Sequence, residues 1–437
     1  MLETLVYLAV GLITLGIPAI YFARYRRASR QSASTLQKAV ESGLDEPASI
    51  HPFINPDICI GSAACVAACP EQNVLGLIDN RGKLVNPSHC IGHGACQAAC
   101  PVDAITLVFG TQKRGVDIPH ITSTFESNVK GIFIAGELGG MGLIRNAVKQ
   151  GWEAVQYISR SLKDEPRRGD DIHDLAIIGA GPAGIAASLQ AINEGLDFVT
   201  YDQDDLGGTI LTYPRRKLVM TQPMDLPLYG KITAREIEKE RLLDIFGEVC
   251  NRTGLKIQAG DKVNDIRKVD GYFEVASSQG SCRARRLLLA IGRRGSPRKL
   301  GVPGEKSGKV AYRLLDPERF AGLNLLVVGG GDSAVEAALA LARQPGSKVH
   351  LSYRGEKIFR IKEGNLKKLE KAAASGALET LYESNVTAIE SGSVTLEQKG
   401  STKSLPNDHV FIFAGGELPT DFLKRAGVEF TRKFGDA

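Results

Sequence analysis

The stretch DLAIIGAGPAGIAASLQAINEGLDFVTYD, residues 174–202, decides the fold of most of this 437-residue chain. An apolar run leads into Gly179, Gly181 and Gly184, a helical pattern follows through Pro182 and Ala183, Gly195 ends it, and FVTYD supplies a second strand closed by an acid. Strand, glycine turn, helix and strand in that order predict a βαβ unit with a parallel sheet. The spacing has a chemical reason. The glycines let the backbone turn tightly and approach a pyrophosphate at the helix N-terminus, where unpaired N–H groups and the helix dipole favour negative charge. Asp202 stands where a ribose would offer its hydroxyls.

A second fingerprint begins at NLLVVGGGDSAVEAALALA, residues 324–342. Gly329, Gly331 and Ala334 take the three small positions, with Asp332 and Ser333 opening the helix between them. The next strand, KVHLSYR, ends on Arg354, with Arg360 nearby, and lacks the acid that marks NAD sites. Arginine there suits the 2′-phosphate of NADP, so the pattern favours NADP over NAD. Two dinucleotide sites in one chain imply a flavin and a nicotinamide.

Upstream lies a different chemistry. CIGSAACVAACP, residues 59–70, returns as CIGHGACQAACP at residues 90–101, and the flanking INPDICIG and VNPSHCIG align as well. This is an internal duplication. Bacterial two-cluster ferredoxins use C-x2-C-x2-C-x3-C-P, with the last Cys of each run ligating the other cluster. Here the second ligand position holds Ser62 in one copy and His93 in the other. By that cross-ligation pattern Cys59, Cys65 and Cys100 share one cluster, and Cys90, Cys96 and Cys69 share the other. Three thiolates hold a 3Fe-4S cluster, or a 4Fe-4S cluster whose last iron takes Ser62, His93, water or hydroxide. Removing a thiolate's charge raises the potential, as histidine ligation does in Rieske centres.

Six of the eight cysteines lie in these two groups, which reads as metal ligation in a reducing compartment rather than a disulfide framework. Cys250 and Cys282 stand apart and read as small buried apolar residues. A net charge of +5, with no basic block interleaved with aromatics, argues against nucleic acid as a partner. Residues 4–23 carry no charge and are long enough for a transmembrane helix, and Arg24, Arg26, Arg27 and Arg30 follow. The positive-inside rule then predicts a single-pass inner-membrane protein with its C-terminal bulk in the cytoplasm. Residues 24–50 read as a linker, a tether or short helix.

The segments GAGPAG, DLGGTI with Gly207 and Gly208, LLLAIGRRGSPRKLGVPGE, VVGGGDSAVEAA and FIFAGGELPT resemble the pyridine-nucleotide disulfide oxidoreductase superfamily, above all its thioredoxin-reductase-like branch, over about residues 172–437. The resemblance implies FAD at Gly179 to Asp202 and NADPH at Gly329 to Arg354. That family closes its FAD domain near the C-terminus with a GIFAAGD-type strand, which this chain lacks there. ITSTFESNVKGIFIAGELGGMGLIRNAVKQGWEAVQY, residues 121–157, resembles the missing strand and helix, with Gly136 and with Glu137 where the family has Asp. A circular permutation is therefore expected.

The expected fold class is α/β: two Rossmann-like dinucleotide-binding domains, preceded by a transmembrane helix and a small α+β ferredoxin-like module at 51–110. The FAD-binding domain is expected at 111–300 with 400–437, and the NADPH-binding domain at 301–399. Thioredoxin reductases carry a C-x-x-C between the PGE segment and the second glycines, where residues 306–322 here hold no Cys. Bacillithiol-disulfide-type reductases have a Cys in the first glycine motif, where this chain has Ala183. The ferredoxin–NADP reductases of this branch, which lack the dithiol, match better. The resemblance thus implies an NAD(P)H-dependent oxidoreductase passing electrons between NADPH, FAD, iron–sulfur clusters and a one-electron acceptor, a protein or a quinone. No separate acid–base residue is nominated. Arg215, Arg216 and Lys217 read as a solvated basic loop, or as a receiver for an acidic partner or anionic substrate. Reduction of a small disulfide or other two-electron substrate at the flavin, and a non-catalytic redox sensor, are the alternatives. Homodimers are frequent in the family.

Overall fold

The computed structural model describes residues 2–47, 50–71, 73–112, 114–140, 142–163, 165, 169, 171–219, 223–234, 236–293, 296–358, 361–417 and 419–435, without the side chains of residues 2–6, 8, 9, 12, 13 and 296. The chain divides into two compact units, residues 1–115 with 433–437, and residues 116–432.

The first unit opens with a 41-residue helix, Leu2–Ser42. The tether expected over residues 24–50 is therefore helical as far as Ser42. Its run of Ala, Gln, Lys, Glu and Leu has high helix propensity and lacks a long apolar stripe because its contacts are few. Ala39 and Leu44 are buried, and a side chain at Gly76 would collide with Ser32 of the helix. Among the described residues no helix is long and apolar enough to cross a membrane. The span expected at 4–23 falls in part on side chains outside those described; Leu15, Ile17 and Ile20 within it are exposed. The rest of the unit is the duplicated module. His51–Ile54 pairs antiparallel with Ile105–Val108, tying the start of the first copy to the end of the second. Leu75–Ile78 and Arg81–Leu84 form a hairpin between the copies. Each cysteine loop runs through a left-handed residue, Ala63 or Gly94, into a short helix, Ala64–Ala68 or Ala95–Ala98.

In the second unit Ile172–Ile178 lies parallel between Phe198–Tyr201 and Ser281–Leu289. Five of its seven residues are buried in one run, as a strand covered on both faces requires. Ile132–Ile134 joins the same sheet, parallel to Leu287–Leu289. A strand earlier in the chain than the first glycine loop thus stands on the far side of Ser281–Leu289, as the permuted reading expects. The helix that follows it, Ile144–Leu162, packs on Pro182–Asn193. Gly151 makes this possible, because any side chain there would overlap the Ala183 backbone. Pro182–Asn193 starts with proline at its first turn and ends in a Schellman motif, with Gly195 N–H on Ile192 O and Leu196 N–H on Ala191 O.

The second sheet is all parallel: Val310–Ala311, His409–Ile412, Asn324–Val328, Lys348–Tyr353 and Glu379–Tyr382, in that order. One expected boundary moves. The sequence reading assigns residues 401–412 to the FAD domain, but His409–Ile412 lies beside Asn324–Val328, and Ser401–Pro406 completes a meander with Ser384–Ile389 and Ser393–Gln398. The apolar HVFI run fills the gap on the inner edge of the nucleotide sheet, and burying Val410, Phe411 and Ile412 there fixes its place. The chain returns to the first sheet only at Thr420–Arg425, whose Leu423 joins Ile132 and Leu287 in one core.

Candidate functional site

The two glycine loops have the same geometry. Gly179 has φ +107°, and a Cβ there would sit 2.5 Å from Ala290 O. Gly329 has φ +146°, and a Cβ would sit 2.5 Å from Phe413 O. Each first glycine thus turns against a carbonyl of the neighbouring parallel strand's exit. A Cβ on Gly181 or Gly331 would meet nothing within 4 Å, which leaves the space a pyrophosphate takes. At the third position a side chain on Gly184 would overlap Gly179 O, and Ala334 is fully buried against Gly329. Helices Pro182–Asn193 and Asp332–Ala342 begin directly after these loops and aim their free N–H groups at that space.

Around the first loop, Gly207 N–H donates to Ala180 O at 2.9 Å, and a Cβ on Gly208 would lie 3.0 Å from Gly181 Cα. Gly136, at the end of Ile132–Ile134, has a would-be Cβ 3.0 Å from the Ala183 methyl, and its N–H donates to Gln150 Oε1 at 2.9 Å. Gly136 and the half-buried Glu137 therefore reach the same loop as Gly179, from a segment on the other side of the permutation. Asp202 accepts from Ala180 N–H at 2.6 Å and Asp204 N–H at 2.8 Å. Burial pushes its carboxyl up, against the pull of those two donors. Each oxygen keeps a lone pair for a further donor.

The second loop holds two surprises. Asp332, expected at the cofactor, accepts from Lys362 N–H at 2.9 Å and Asn365 Nδ2 at 2.6 Å, so it anchors the helix Glu363–Ala374. Tyr353 covers Gly330, where a side chain would overlap its ring. Ser333 and Arg354 are exposed, Arg354 just beyond Lys348–Tyr353, and Arg360 lies outside the described residues. The basic loop is exposed at Arg215 and Arg216, and two of its three side chains have acidic partners within the chain. Arg215 pairs with Asp316 at 2.5 Å and Lys217 with Glu336 at 3.0 Å, while Arg216 N–H donates to Glu240. These pairs tie the loop after Gly207–Gly208 to the nucleotide half of the same unit. Gln150, Tyr353, Glu336 and Asn365 carried no sequence signal, because each acts through a fold contact rather than a motif.

In the first unit the thiols surround two cavities. Cys59, Cys65 and Cys100 line one, together with Ser62. Cys69, Cys90 and Cys96 line the other, together with His93 and Glu71. These are the cross-supplied sets expected from the repeat. Glu71 was missed, although it stands directly after the Cys69–Pro70 pair. Among the described residues no three ligating side chains converge closely enough for a single ion. Three thiols around each pocket are the donor set an iron–sulfur cluster would use. Backbone donors point at the sulfurs: Gly82 N–H to Cys59 Sγ at 3.4 Å and Ala104 N–H to Cys100 Sγ at 3.3 Å. Burial pushes the Cys90 thiol up to about 11 and raises those of Cys65, Cys69 and Cys96, so metal must displace protons to bind.

Comparison with known proteins agrees with this division. Residues 176–434 match the family described as pyridine nucleotide-disulphide oxidoreductase, and residues 51–101 match the 4Fe-4S dicluster domain. The chain is 28% identical over 270 residues to a ferredoxin–NADP reductase of Ignicoccus hospitalis, covering 60% of this chain and 83% of that one. It is 28% identical over 261 residues to one of Rickettsia rickettsii, covering 58% and 72%. Among solved structures it is similar to the bacillithiol disulfide reductase Bdr of Staphylococcus aureus, with TM-score 0.52, 25% identity and coverage of 59% and 80%. The Bacillus cereus enzyme of the same name gives 0.53, 25%, 59% and 82%. With the family match spanning well over half its length and both glycine loops intact, this chain belongs to the pyridine nucleotide-disulphide oxidoreductase family and is an NAD(P)H-dependent flavin oxidoreductase with a 4Fe-4S dicluster domain.

Proposed function

We propose that the chain carries electrons from NADPH to a one-electron acceptor by way of FAD and two iron–sulfur clusters, a reading that the name of its ferredoxin–NADP reductase relatives supports for the two ends of that path. Bound flavin supplies the exchange between a hydride pair and single electrons that an iron–sulfur module requires. The observation that carries this reading is the location of the thiols. Six of them line the two cavities of the ferredoxin unit, and residues 306–322 of the reductase unit hold none. Cys250 and Cys282 sit on separate elements as free thiols, and Ala183 stands where the resemblance puts the Cys of bacillithiol-disulfide-type reductases. Without a dithiol in the reductase unit, disulfide exchange has no protein partner there.

The chain's own residues position the nucleotides. Gly181 and Gly331 leave room for the two pyrophosphates, the helices after them would supply N–H donors, and Asp202 would accept from the ribose hydroxyls of the FAD adenosine. Glu137, next to Gly136, stands where the resemblance puts the acid that would contact the flavin's ribityl chain. Exposed Arg354 supports NADP over NAD. The uncharged run at 4–23, followed directly by Arg24, Arg26, Arg27 and Arg30, supports an inner-membrane anchor with the C-terminal bulk of the chain in the cytoplasm. A quinone or a redox protein is then the acceptor, and a homodimer the assembly.

The test is turnover of the full-length protein in detergent with NADPH, comparing a one-electron dye with a low-molecular-weight disulfide, in the native chain and in a Cys65→Ala/Cys96→Ala double variant. The dye is expected to be reduced by the native chain and much more slowly by the variant. Disulfide-driven NADPH oxidation that survives in the variant would instead place the chain with the small-disulfide reductases, the reading that the Bdr likeness favours. Tight nucleotide binding with negligible turnover of either would favour a sensor.

A further inference from the structure

His93 occupies the position of the missing fourth cysteine and lines the second cavity beside Cys69, Cys90 and Cys96. Its Nδ1 accepts a hydrogen bond from Ala95 N–H at 3.3 Å. The direction of that bond is fixed, since a backbone amide only donates. Ala95 opens the helix Ala95–Ala98, and its N–H is one of the donors that a helix start leaves without an internal acceptor. With Nδ1 used as an acceptor, the neutral ring carries its hydrogen on Nε2. Metal-ligating histidines show the opposite arrangement, in which the nitrogen away from the metal donates its hydrogen to an oxygen and leaves the other lone pair for the metal.

The backbone on either side of His93 is tightly placed. Gly92 has φ +72° and is packed so closely on Ile50 that a side chain there would overlap it, and Gly94 has φ +80°. His93 is thus held between two left-handed glycines, with its ring turned back on the helix it precedes.

We propose that His93 does not ligate iron: the second cluster is held by the thiolates of Cys69, Cys90 and Cys96 alone, and His93 offers it an Nε2–H donor. This rests on the reading that the six cysteines hold clusters. A hydrogen bond to cluster sulfur raises the potential, as does the absence of a fourth thiolate. The residue that replaced a ligand therefore tunes the cluster without completing it.

The experiment is pulsed EPR of the anaerobically purified full-length protein, grown with unlabelled or 15N-labelled histidine, alongside EPR-monitored redox titrations of His93→Ala and His93→Gln. A weak histidine-nitrogen coupling of the kind a hydrogen bond transmits is expected. His93→Ala should keep its iron and shift one midpoint potential downward, and His93→Gln, whose amide retains an N–H, should restore most of that shift. A strong coupling of a directly bonded nitrogen, lost in His93→Ala, would overturn the proposal, as would an unchanged midpoint in His93→Ala. If either variant fails to fold, the labelled native protein alone decides. Absence of any iron–sulfur signal in the native protein would overturn the cluster reading beneath it, which is a distinguishable outcome.

Discussion

The ferredoxin unit and the reductase unit are each built on a loop used twice, and they use the repetition in opposite ways. In the ferredoxin unit the copies exchange ligands: Cys100 of the second copy lines the cavity of Cys59 and Cys65, and Cys69 of the first lines that of Cys90 and Cys96. In the reductase unit each glycine loop is closed by its own sheet, Gly179 against Ala290 O and Gly329 against Phe413 O. Short loops cannot surround a cluster alone and must borrow, whereas a βαβ unit carries turn, helix and neighbouring strand together. The difference teaches that one side chain in the ferredoxin unit serves the other copy's site, while a loop in the reductase unit fails where it stands.

The largest effect is expected from Gly184→Val. A Cβ there meets Gly179 O, which is backbone and cannot move aside, so the substitution should cost about 3 kcal/mol or more. Thermal unfolding and the flavin absorbance of the purified protein measure it, with the cluster signals retained if the loops fail independently. Next, Cys100→Ala should remove the same EPR signal as Cys65→Ala and leave that of Cys96, with iron content falling to roughly half. Loss of the Cys96 signal instead would mean that the copies are self-contained. Gly330→Ala should displace the Tyr353 ring and cost about 1 kcal/mol of nucleotide binding, read as a raised KM for NADPH with flavin content unchanged. Smallest is Lys217→Ala. Its pair with Glu336 is more than a third exposed on both sides, so the loss should be about 0.5 kcal/mol or less by chemical denaturation.

Both glycine loops and both cysteine sets were legible in the sequence because local chemistry fixes their spacing. Gly179, Gly181 and Gly184 each answer a different steric demand, and the cysteines answer one metal geometry. The permuted strand was legible for a related reason, since GIFIAGE is a buried strand followed by a special turn at Gly136, wherever in the chain it is written. What was not legible depended on partners far away in sequence. Asp332 looks like a cofactor residue until Lys362 and Asn365 are seen to use it. Arg215 and Lys217 have partners, Asp316 and Glu336, that no local motif announces. The strand His409–Ile412 could equally extend either sheet, and only the gap beside Asn324–Val328 decides which. Residues 24–50 read as a tether or short helix, and the helix's continuation to Ser42 is not legible because a helix packed over a short stretch, at Ala39 and near Ser32, needs no long apolar stripe.

The central claim, that reducing equivalents entering at the nucleotide site reach the clusters, is tested most directly by the EPR spectrum of the full-length protein, purified without oxygen, before and after NADPH. The account predicts an iron–sulfur spectrum that changes oxidation state on NADPH addition as the flavin absorbance bleaches. Flavin that bleaches fully beside iron–sulfur signals that stay unchanged, or beside none at all, would contradict it.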